Sequence, residues 1–165
     1  MAIKSAFASA LLLAQLACGG GNPSDPSQGS EVPLGTLRAT FDGVPYIGTA
    51  SAVSHSHPNA SKPTIVTGTL VTFLFGFDLP DRIGTTSVGP GSVLSATFGT
   101  SDSTGAPSAV WSAWGTSGSG SVTVTTLTST RTSGTFFFNL APDDGATGIK
   151  VVTKGVFNVG FIVID

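Results

Sequence analysis

The chain has 165 residues, a formal net charge of −2 at pH 7 and only 10% charged side chains. That length admits one ordinary domain plus processing segments, and a domain of that size buries roughly two-thirds of its unfolded surface. No run of Lys and Arg is present, which argues against nucleic acid as a partner because phosphate neutralisation needs clustered cations.

The first seventeen residues carry one positive charge, Lys4, ahead of an apolar stretch from Ala6 to Leu16 interrupted only by Ser9 and Gln15. It is too short for a permanent membrane span and reads as a secretory signal. The chain's single cysteine, Cys18, follows at once. An odd cysteine in an exported protein has no internal disulfide partner, and acylation accounts for it. The segment Ala14-Gln15-Leu16-Ala17-Cys18 resembles the lipobox of bacterial lipoproteins, in which the cysteine is acylated and becomes the mature N-terminus. That resemblance implies a membrane partner through an N-terminal lipid anchor. Gly19 is not the Asp that signals inner-membrane retention in such proteins, so the implied location is the cell outer membrane. An ordinary signal peptide cut nearby is the alternative and would make the protein secreted or periplasmic. Loss of Lys4 with the leader lowers the formal charge of −2 by one, to −3.

Residues 18–33 form a linker. Gly19 to Gly21 give flexibility, Pro23 and Pro26 block helix and ladder, and almost nothing apolar is available to bury. The domain from residue 34 to 165 then repeatedly favours period two, although Trp111 and Trp114 differ in parity, which points to a bulge or a surface-exposed ring there. Leu37, Ala39 and Phe41 alternate with Arg38, Thr40 and Asp42, and Asp42-Gly43 before Val44-Pro45-Tyr46-Ile47 signals a hairpin. Pro45 cannot donate to a ladder, which places it at an edge or bulge. Val71, Phe73, Phe75, Phe77 and Leu79 share one face of the strongest core strand in the chain. Residues 80–92 make a turn-rich crossing with one short strand, and shorter candidates lie at 93–98 and 109–114. Val122 and Val124 mark a further strand, Phe136, Phe138 and Leu140 the next. In the last segment the facing parity changes between Val152 and Phe157, which marks Gly155 as a bulge. Many short strands, regular turns and no helical period predict an all-β fold: a single antiparallel β-sandwich, or a closed β-barrel as the alternative.

The order of motifs resembles a family of bacterial lipoproteins and secreted domains of unknown function. The residues that carry it are "ATFDGVPYIGTA", "IGTTSVG", "GSVTVTT", "RTSGTFFFNL" and "KGVFNVGF", spanning Leu37 to Phe161. In this chain Tyr46 stands where that family commonly has Trp, and Thr86 replaces the tyrosine of its G-T-Y turn. The resemblance implies a β-sandwich on a lipid tether and no established activity.

Candidate chemistry is sparse. His55 and His57 have metal-ligand spacing, but zinc needs three or four ligands, so a solvated loop is the competing reading. Asp143 and Asp144 suit a hairpin tip beside Gly145, and Asp78 and Asp81 suit capping of the strand end at Pro80. No serine sits in a nucleophile elbow. Tyr46, Trp111 and Trp114 could form an aromatic surface for sugar rings or a partner, or else serve core packing. The expectation is a non-catalytic envelope module, without a cofactor, that binds or scaffolds an envelope protein or polysaccharide. The alternatives are a barrel holding a small lipophilic ligand in its interior and a secreted hydrolase using His55 or His57.

Overall fold

The computed structural model describes residues 31–55, 64–69 and 73–164. Ten strands account for most of them: β1 (Thr36–Phe41), β2 (Val44–His55), β3 (Thr64–Thr69), β4 (Phe73–Asp78), β5 (Gly84–Val88), β6 (Ala96–Ser101), β7 (Pro107–Ala113), β8 (Ser119–Leu127), β9 (Arg131–Pro142) and β10 (Lys150–Ile164). No helix occurs among the described residues.

All ten strands belong to one hydrogen-bonded sheet in the order β1-β10-β2-β3-β4-β6-β7-β9-β8-β5, with β1–β2 and β10–β9 also paired. The sheet curls back on itself as a half-barrel, giving sandwich-like packing. A front layer holds β5, β8, β9, β10, β1 and the first half of β2. A back layer holds the second half of β2, then β3, β4, β6 and β7. Long strands carry the chain between layers: β2 leaves β1 at Thr49 and takes up β3 from Ala50. The expected all-β class therefore holds. One pairing departs from the antiparallel rule, since Phe161 to Ile164 of β10 run parallel to Ala52–His55 of β2.

Local sequence explains the connections. Asp42 and Gly43 both have positive φ, 48° and 85°, as a two-residue hairpin turn of the primed type requires. Pro45 pairs with Thr40 of β1, on a half-strand of β2 with no further neighbour among the described residues. At β10 the register with β9 shifts between Val152 and Gly155, with Lys154 in the left-handed region at φ 52°. This bulge lets Val152 on one side of it and Phe157 on the other both face inward, as the parity change predicts. Gly155 is required there because a Cβ would lie 2.5 Å from the Phe136 carbonyl oxygen and ring.

Phenylalanine fills the space between the layers. Phe77 of β4 stands 4.7 Å from Phe136, 5.4 Å from Phe138 and 5.8 Å from Phe157, centroid to centroid. Phe75 is 5.8 Å from Phe136 and 6.0 Å from Phe138. Strand β4 makes no backbone pairing with β9 or β10, so these contacts join opposite layers. Phe75, Phe77, Phe138 and Phe157 are all fully buried, and each such ring contributes about 1.5–3 kcal/mol by leaving water.

The segment before β1 lies on the outer face of the front layer. Val32 is buried, and its carbonyl accepts a 2.9 Å hydrogen bond from Nδ2 of the buried Asn158. The Gly35 N–H donates to the Asn158 carbonyl at 2.7 Å. The chain thus meets the sheet near Arg131, whose guanidinium is 3.9 Å from Glu31.

Candidate functional site

Buried side chains, Phe75, Phe77, Phe138 and Phe157 among them, occupy the seam between the layers, and the concavities described below lie on the outer surface. Inward placement of Phe75 and Phe77 on β4 forces Leu74, Gly76 and Asp78 outward, because side chains alternate along a strand. Register then aligns Leu74 with Gly99 of β6, Gly76 with Thr97, and Gly99 with Val110 of β7. Two glycines among these neighbours leave the back layer's outer face hollow. Two adjoining concavities of about 510 and 240 Å³ share Leu74 and Gly99. The larger is walled by Val110, Pro107 and the hydroxyl-bearing Thr100, Ser101, Ser103 and Thr104, with no charged side chain. The smaller ends at Asp78 and Ser95. The Asp78 carboxylate accepts the Ser95 N–H at 2.9 Å and its hydroxyl at 2.8 Å, so this residue caps the strand end, as expected.

At the rim of the sandwich, four rings run from β2 to β7. Tyr46–Phe73 are 5.1 Å apart, Phe73–Phe98 are stacked at 5.2 Å, and Phe98–Trp111 are edge-on at 6.0 Å. The Lys150 ammonium lies 4.6 Å from the Phe98 centroid and 4.4 Å from that of Trp111. It also donates to Asp42 Oδ2 at 2.7 Å. The other Asp42 oxygen accepts the Val151 N–H at 2.7 Å. Partial burial pushes the Asp42 carboxyl up, but the Lys150 hydrogen bond, the Val151 N–H and the Lys150 charge outweigh it and hold the carboxyl below its ordinary range. The Trp111 indole N–H donates to the Gly148 carbonyl at 3.2 Å. This cluster joins the β1–β2 turn, the start of β10 and the back layer. At the β6–β7 turn the exposed Asp102 is also held below its ordinary range, by the Thr104 hydroxyl and the Thr104 and Ala106 N–H groups.

Of the residues singled out from sequence, Tyr46 and Trp111 are half-buried members of the aromatic row, and the Tyr46 hydroxyl meets Thr67 Oγ1 at 3.0 Å. Trp114 is 70% exposed at the β7–β8 turn, outside that row. The three do not form one platform. His55 ends β2, its backbone paired with Ile164; Cys18 and His57 lie outside the described residues. Among the described residues no group of three metal-ligating side chains converges. Asp143 and Asp144 follow β9, and their backbones extend the pairing with Val110 of β7 at 2.8 Å.

The outward hollow escaped sequence reading because its walls come from three strands. The parity of β4 was the available signal, but the partners of Gly76 and Gly99 depend on the sheet order. No protein-family model, no curated protein and no solved structure matches the chain.

Proposed function

We propose that the protein is a non-catalytic binding module of the bacterial cell envelope, held at the outer membrane by acylation of Cys18, which receives a partner on the outer face of β4, β6 and β7. The observation that carries the binding reading is the hollow itself: Gly76 and Gly99 withhold side chains where the sheet could have carried them, while the interior is filled by rings. A mainly apolar lining that includes Leu74, Val110 and Pro107, edged by uncharged hydroxyl side chains of which Thr104 already donates to Asp102, suits a neutral polymer such as an envelope polysaccharide, whose faces are part apolar. The lipobox-like Ala17-Cys18 and the Gly/Pro/Ser linker support the tether. The filled seam favours this reading over an interior site for a lipophilic ligand.

Two measurements test it. Mass spectrometry of the mature N-terminal peptide should find acyl mass on Cys18; an unmodified N-terminus beyond residue 18 would remove the anchor. For the hollow, Gly99→Val is informative because a Cβ there meets only the Ala109 carbonyl oxygen, at 3.9 Å. The variant should stay folded and lose co-sedimentation with purified envelope polysaccharide. Undiminished binding by the filled variant would move the site elsewhere.

A further inference from the structure

The fold gathers on one face three bases that are far apart along the chain. On β1 the buried Leu37, Ala39 and Phe41 turn Arg38 outward on the front layer. On β9 the buried Thr132, Gly134, Phe136 and Phe138 turn Arg131 to the same side, where Glu31 meets it. Lys154 stands exposed at the β10 bulge on that face. The same layer exposes Ile47 (64%), Phe137 (50%) and, beside Asp42, Val151 (39%). Two acids lie on the front layer, Glu31 against Arg131 and Asp42 bonded to Lys150 at the β1–β2 turn; of the others, Asp78 belongs to the back layer, Asp102 to the β6–β7 turn, and Asp143 and Asp144 pair with β7. The segment carrying residues 1–30 also joins the domain on the front face, through Val32 and Asn158.

We infer that the front layer's outer face is a second membrane contact, which lies against an anionic lipid surface while the hollow of the back layer faces away. Bases interspersed with exposed apolar side chains match an anionic interface, where each Lys or Arg raises partitioning about fivefold. Two or three such residues bind weakly by themselves, but a tether rooted on the same face supplies a high effective concentration that makes weak contacts count. The inference rests on the tethered reading for its setting, and the following test uses an unacylated chain so that the two can fail separately.

The mature chain from residue 18, carrying Cys18→Ser, is mixed with phosphatidylcholine vesicles with or without about one-third phosphatidylglycerol and partition coefficients are measured. Preference for the anionic vesicles should be at least about tenfold, and Lys154→Asn with Arg131→Gln should lower it by about 25-fold or to background. Asparagine is used because it tolerates the left-handed backbone of residue 154. Asp143→Asn with Asp144→Asn raises the net charge by the same amount on the other layer and should change partitioning by less than about twofold. Equal binding to both vesicle types would overturn the inference, and so would a gain in the aspartate variant as large as the loss in the basic one, since that would make net charge the determinant. Thermal unfolding of each variant confirms that the fold is intact.

Discussion

Replacing Lys150 with Met tests how the rim of the sandwich is held. Methionine keeps the unbranched apolar stem, so little cavity forms and the loss is chiefly electrostatic. A hydrogen bond between charged partners at 2.7 Å contributes about 1.5–3 kcal/mol when well shielded, but Asp42 is 46% exposed, so a value near 1 kcal/mol is appropriate. The Lys150 side chain is only 15% exposed and faces two rings at 4.4 and 4.6 Å, which adds about 1 kcal/mol. The expected loss is therefore about 2 kcal/mol by urea unfolding at neutral pH, with an unchanged m-value. Acidification gives a second readout. Because the Asp42 carboxyl is held below its ordinary range in the folded protein, its contribution is present above the unfolded pKa of about 4 and disappears as pH falls through the lower folded value. Lys150→Met should flatten that part of the stability–pH curve. A double-mutant cycle with Trp111→Leu should show coupling of about 0.5–1 kcal/mol. A loss under about 0.5 kcal/mol, or zero coupling, would refute the assignment of Lys150 as the residue that joins the layers at this end.

Three further substitutions probe the core. Phe77→Ala removes a ring that touches Phe75, Phe136, Phe138 and Phe157, and should cost about 3–5 kcal/mol in chemical denaturation. Gly155→Ala drives a methyl against the Phe136 carbonyl and ring and should cost about 2 kcal/mol, with the amide resonances of Val152 to Phe157 shifting most. Thr132→Val should be neutral or stabilise by up to about 1 kcal/mol in a melting experiment, because the Thr132 hydroxyl is fully buried without a hydrogen-bond partner.

Much of the architecture was legible because a strand's inside and outside are written in its parity. Phe75 and Phe77, Val122 and Val124, Phe136 and Phe138 all point inward as their spacing requires. Asp42-Gly43 and Gly155 signal a turn and a bulge through backbone geometry that few other residues tolerate. These are local constraints, set by residues within a few positions of one another, and so a linear reading recovers them.

Neighbour relations between distant strands were decided by tertiary structure alone. Lys150 finds Asp42 across 108 residues and Trp111 across nearly forty, and neither spacing carries a pattern. Gly76 and Gly99 make a hollow only because β4 lies beside β6, and Arg38, Arg131 and Lys154 share a face only because β1, β9 and β10 are adjacent. The parallel seat of Phe161 to Ile164 on β2 was equally silent in sequence. Period two sorts side chains into two faces, but which strand stands next to which is settled by how the buried side chains, seven phenylalanine rings among them, pack against one another, a collective property of the whole chain.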